Sequence, residues 1–120
     1  MENQDPDDPV AMYIREACNV GPLTREEETK LFRELGRWGD WDEQRENVAR
    51  RLIESRLLLV VSIAQKHSGA GVPMLDLIQE GNIGLMNAIR SFAKRPIGDF
   101  TAYAAAYIEE AIAKALGKSR

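Results

Sequence analysis

Seven residues in the stretch MLDLIQEGNIGLMNAIR, from Met74 to Arg90, carry the most distinctive chemistry of this sequence: Leu75, Asp76, Gln79, Glu80, Asn82, Ile83 and Met86. The carboxylates and carboxamides can take and give hydrogen bonds, and acids in such a set pair well with arginine. The apolar residues among them would supply contact area. At about 100° per residue these seven share the side of a helix opposite to Met74, Leu77, Ile78, Gly81, Gly84, Leu85, Ala88 and Ile89, which form a core stripe. The mixed side reads in two ways. It is either a partner surface, as an apolar patch rimmed by polar groups suggests, or a face covered by another element of the same chain.

Reactive chemistry is not found elsewhere. There is no glycine-rich phosphate loop and no nucleophile with a base at recognisable spacing. Asp7 with Asp8 and Glu109 with Glu110 are sequence neighbours, so on a helix they point about 100° apart and do not face one another. The single histidine, His67, has no cysteine or acidic partner at ligand spacing, so neither a metal site nor a cofactor is expected. Cys18 is the only cysteine, which excludes an intramolecular disulfide; beside Ala17 it reads as a small buried hydrophobe. The expected class is a binding module and not an enzyme.

The elements that must position the mixed face are all helical. Asp8 followed by Pro9 is an N-cap with proline at the first helical position, and that helix should stop between Asn19 and Pro22. Thr24 and Glu27 fit a capping box, with Leu31, Phe32 and Leu35 as the apolar face of the second helix. Trp38 and Trp41 flank a glycine-containing break and read as a hydrophobic clasp. Asp42 caps one long helix, or two joined by a kink, that runs to about Ser68 with Arg50, Arg51 and Arg56 on its outer side; LLLVVSIA within it belongs at the centre of a bundle. A last helix from about Phe100 to Gly117 turns Phe100, Ala104, Tyr107, Ile108, Ala111, Ile112, Ala115 and Leu116 inward and Ala102, Tyr103, Ala106, Glu109, Glu110 and Ala113 outward. Gly81 and Gly84 each cost roughly 1 kcal/mol in a helix interior, and on the inward arc they predict close approach of a neighbouring helix. The fold class is an all-α compact helical bundle.

A chain of 120 residues can bury a core without metal or disulfide help. Its net charge of −3 gives no general argument for nucleic-acid binding. The longest apolar run is far short of the ~18 residues of a membrane span, so no membrane contact is expected. Without a signal-peptide pattern or a disulfide framework, the expected setting is cytoplasmic.

LIESRLLLVVSIA (Leu52–Ala64) and LDLIQEGNIGLMNAI (Leu75–Ile89) together resemble region 2 of the bacterial sigma-70 family of transcription initiation factors. DPVAMYIREACNVGPLTREEE, beginning at Asp8, is similar to that family's region 1.2. The resemblance divides the chain into an acidic arm (1–7), region 1.2-like helices (8–36) and a region 2-like helical domain (42–117). It implies docking on the clamp helices of the largest subunit of core RNA polymerase, with the contacts falling on Leu75, Asp76, Gln79, Glu80, Asn82 and Met86. It also implies promoter DNA as a partner, through Lys94, Arg95, Phe100, Tyr103, Tyr107 and Lys114.

The sequence departs from the family where promoter DNA is melted and read. Ala106 stands at the first position of the family's Trp-Trp wedge, Glu109 and Glu110 stand where it has Arg-Gln, and Pro96–Asp99 replaces its basic, aromatic loop. Carboxylates repel phosphates, and alanine offers no ring for an unstacked base. Two functions remain open on these grounds. One is an initiation factor domain with degenerate melting of the −10 promoter element. The other is a sigma mimic that binds an anti-sigma factor or polymerase without opening DNA.

Overall fold

The computed structural model describes residues 8–36 and 42–117. Over them run six helices: α1 (Pro9–Cys18), α2 (Arg25–Leu35), α3 (Glu43–Glu54), α4 (Leu57–Gln65), α5 (Met74–Lys94) and α6 (Phe100–Ala115). No strand occurs among the described residues. The acidic arm and the tryptophans Trp38 and Trp41 lie outside them.

Local signals set most boundaries. The Thr24 hydroxyl accepts from the Glu27 amide at 3.0 Å and the Glu27 carboxylate accepts from the Thr24 amide at 2.9 Å, completing the capping box. Asp42 accepts from the Arg45 amide to start α3. Asp8 is extended as an N-cap should be, but its side chain makes no cap bond, so Pro9 alone marks the start of α1. The long helix expected from Asp42 is two: the chain breaks at Ser55 and Arg56, where the Ser55 hydroxyl donates to the Leu52 carbonyl.

α5 lies at the centre and packs most extensively on α6, with α4, α3, α2 and α1 around it. Leu77, Ile78, Gly81, Gly84, Leu85, Ala88 and Ile89 are all buried on its inward stripe, continued by Phe92 and Ala93. From α4 come Val60, Val61, Ile63 and Ala64, and from α6 Phe100, Ala104, Ile108 and Ile112. Phe32, Phe92 and Phe100 form an aromatic corner with ring centroids 4.9 to 5.2 Å apart, in edge-on or tilted arrangements that favour aromatic contact.

The glycines do what their cost predicts. A methyl group on Gly84 would meet the Tyr107 carbonyl oxygen at 2.6 Å and the Ala111 Cβ at 2.8 Å. On Gly81 it would meet Val60 Cγ1 at 2.7 Å. α6 therefore rests its backbone directly on α5 at Gly84.

Some expectations fail for reasons of position. Cys18 is exposed, because it follows the buried Ala17 at the end of α1 and one helical step of about 100° carries it off the inner side. Arg56 is not an outer residue. It sits at the break between α3 and α4, with its guanidinium 5.1 Å from the centre of the Phe100 ring and its Nη2 donating to Glu28 Oε1 at 2.5 Å. Ala115 is exposed in the last turn of α6, and Leu58 leaves the apolar α4 exposed on one side.

Candidate functional site

The mixed side of α5 is partly surface and partly covered. Asp76 and Gln79 are exposed and Glu80 is half-buried. Ile83 is 56% exposed, a large apolar side chain at the centre of this polar set. Leu75 and Met86 are half-buried against the core, so they offer an edge and not a full face. The covered alternative posed by the sequence thus describes Leu75 and Met86, while Asp76, Gln79 and Ile83 of the same helix are at the surface.

Asn82 is the residue most changed by its surroundings. Its Nδ2 donates to the Tyr13 hydroxyl of α1 at 3.0 Å, and its Oδ1 is buried without a hydrogen-bond partner. In this structure its Nδ2 serves the junction of α1 with α5. Nothing in the local sequence marks that contact, since Tyr13 carries only the helical spacing of an apolar residue.

A second group of side chains gathers along α6 and the end of α5. Tyr103 and Tyr107 stack with centroids 5.1 Å apart and planes 28° from parallel. The Tyr103 hydroxyl lies 2.5 Å from the Ser91 hydroxyl and 3.4 Å from that of Tyr107. Hydrogen bonding by Ser91, then by Tyr103, holds the Tyr107 phenol below the ordinary tyrosine pKa, against smaller opposing effects of burial and Glu110. Lys94, Arg95 and Lys114 are exposed. Phe100 is not with them: at 2% exposure it belongs to the aromatic corner beneath Arg56, and it presents no ring to DNA in this structure.

The acidic pair on α6 divides. Glu110 is exposed, whereas Glu109 accepts a 2.7 Å hydrogen bond from His67 Nε2, just beyond the end of α4. No local pattern announces this contact, because the partners are 42 residues apart. No cluster of three or more metal-ligating side chains occurs among the described residues. No helix among them is long and apolar enough to cross a membrane.

Two concavities adjoin these groups. A cleft of about 670 Å³ runs between α2 and the 95–99 loop; Phe32, Phe92 and Phe100 line it together with Arg25, Glu28, Arg33 and Asp99. A groove of about 350 Å³ lies between α5 and α6.

Residues 52–120 match the pattern of the family described as Sigma-70 region 2. The chain is 43% identical over 110 residues to "RNA polymerase sigma factor SigA" of Lactococcus lactis subsp. cremoris, which covers 92% of this chain and 29% of that protein. It is also 43% identical over 110 residues to the protein of the same name from Lactococcus lactis subsp. lactis (strain IL1403), covering 92% of this chain and 28% of the relative. A Bacillus protein, again "RNA polymerase sigma factor SigA", is 41% identical over 109 residues, 91% of this chain and 27% of the relative. The chain spans less than a third of the length of these curated relatives.

Proposed function

Because this chain belongs to the Sigma-70 region 2 family, we propose that it acts in transcription initiation by docking on the clamp helices of the largest subunit of core RNA polymerase. The observation that carries this reading is the exposed group of Asp76, Gln79 and Ile83 on α5, edged by Glu80, Leu75 and Met86. Asp76 and Glu80 suit arginines of a partner through charge-assisted bonds, and Ile83 adds desolvated contact area. Asn82 contributes by fixing α1 beside the face. The helices of 8–36 act as a region 1.2-like part and those of 42–117 as the region 2-like part.

Promoter contact in this reading falls to the stacked Tyr103 and Tyr107 with Lys94, Arg95 and Lys114. It is weak, because Ala106 and Glu110 face outward where a stacking ring and a neutral or basic group would serve DNA. The same observation supports a second reading, a sigma mimic that presents the docking face to polymerase or to an anti-sigma factor and leaves DNA closed.

The test is capture of purified core polymerase, or of its clamp-helix fragment, by the immobilised chain. Gln79→Ala with Glu80→Ala should abolish capture; undiminished capture would remove the docking face from consideration. Titration with single-stranded non-template promoter DNA separates the two readings: tight, sequence-selective binding rules out the mimic.

A further inference from the structure

The cleft of about 670 Å³ between α2 and the 95–99 loop reaches the core, because Phe32, Phe92 and Phe100 line it although none of them is more than 5% exposed. Its rim carries both signs of charge. The acids there are already engaged: the Glu28 carboxylate accepts from Arg56, and the Asp99 carboxylate accepts from the Thr101 amide at 3.1 Å to cap α6. The bases are not. Arg25 and Arg33 line the same cleft, both exposed, and neither side chain has an ion-pair or hydrogen-bond partner among the described residues.

Arg25 and Arg33 stand about two turns apart on α2, with Thr29 midway between them. Two long cationic side chains on one wall can meet a carboxylate from either side, and the planar fork of arginine matches that group. On the opposite lip Gly98 has a φ of +100°, and a methyl group built on it would meet nothing within 4 Å, so the mouth is open there. The volume falls within the range of about 300–1,000 Å³ typical of ligand sites, where an apolar interior and a few convergent polar groups hold one small molecule. A nucleic-acid strand would instead bring a phosphate for every nucleotide past Glu28 and Asp99.

We infer that this cleft is a small-molecule site, and that its ligand is an aromatic carboxylic acid. The ring enters the interior lined by the three phenylalanines, where aromatic contact is favoured. The carboxylate stays at the mouth between Arg25 and Arg33, with the Thr29 hydroxyl as a further donor. Because one wall is α2 and the other is the 95–99 loop, a bound acid ties these two segments together. None of the residues that hold it belongs to the docking side of α5, so the inference stands apart from polymerase capture and from its Gln79→Ala test.

The probe is 2-naphthoate, titrated into the full chain and followed by calorimetry and by amide chemical shifts, with its neutral counterpart 2-naphthamide as the comparison. Saturable binding of the acid is expected, with shifts gathered at Thr29, Arg33, Gly98 and Asp99, and saturating acid should raise the midpoint of thermal unfolding by mass action. Arg33→Gln should weaken binding about tenfold, the loss of one charge-assisted bond, and Arg25→Gln with Arg33→Gln should weaken it further. Arg50→Gln, on the exposed side of α3, should change nothing, and the amide should fail to saturate. The inference is overturned if the double variant binds as well as the parent chain, if Arg50→Gln weakens binding equally, if 2-naphthamide binds as tightly as the acid, or if single-stranded DNA shifts the same amides and displaces the acid.

Discussion

Asn82 and Tyr13, 69 residues apart in sequence, are joined by a 3.0 Å hydrogen bond that ties α1 to α5 on the same helix that carries the exposed Asp76 and Gln79. Because Asn82 Oδ1 is already buried and unpaired, Tyr13 satisfies the only polar end of that side chain given a protein partner. Tyr13→Phe should cost about 1–3 kcal/mol, the range for orphaning a buried polar group. Urea unfolding measures the loss, and amide exchange should show α1 opening first.

Gly84→Ala and Gly81→Ala make a discriminating pair. At Gly84 the new methyl meets the Tyr107 carbonyl and the Ala111 Cβ, neither of which can move unless α6 does. Despite the better helix propensity of alanine, a loss of about 3 kcal/mol is expected from overpacking. At Gly81 the closest atom is Val60 Cγ1, the end of a side chain, so the loss should be smaller. Equal midpoints of denaturation for the two variants would contradict the backbone contact.

Arg56 and Glu28 form a pair whose side chains are 16% and 22% exposed. Arg56→Ala strands the Glu28 carboxylate and uncovers Phe100, and should cost about 3 kcal/mol, the lower end for breaking a buried pair. Arg56→Lys keeps the charge but loses the flat contact over the ring, so its stability should fall between the two.

The Tyr107 phenol, held below its ordinary pKa chiefly by Ser91 and next by Tyr103, should ionise earlier than a free tyrosine in an absorbance titration. In that window the unfolded chain binds more protons than the folded one, so this group makes stability rise with pH. Ser91→Ala should move the ionisation upward and flatten the rise.

On α6, Glu109→Arg combined with Glu110→Gln removes two carboxylates and adds a cation beside the stacked tyrosines. Binding to single-stranded DNA should strengthen, and the slope of log affinity against log salt should steepen by about 0.7 for each additional phosphate neutralised. An unchanged slope would place the DNA path away from this face.

How much of this was legible in the sequence follows from the range of the interactions. The capping box at Thr24 and Glu27 closes over three residues, so pattern alone defines it. The inward stripe of α5 follows from periodicity, and Gly81 and Gly84 declare a close approach because a helix tolerates their cost only for such a return. The bundle followed from these; the family followed instead from the resemblance of Leu52–Ala64 and Leu75–Ile89 to sigma-70 region 2. The contacts of Arg56 with Glu28 and of His67 with Glu109 span 28 and 42 residues, and each depends on where two helices happen to cross. The assignment of Phe100 to a DNA surface came from a position in a family pattern, which carries no information about the Phe32 and Phe92 rings that enclose it here.

The bare contact at Gly84 also has a mechanical meaning. With the Tyr107 carbonyl bearing on α5 and no layer of side chains to cushion it, the two helices behave as a single plate. A protein that levers α5 by its outer edge must swing α6 through the same arc, so attachment at one edge reorients whatever is held at the other.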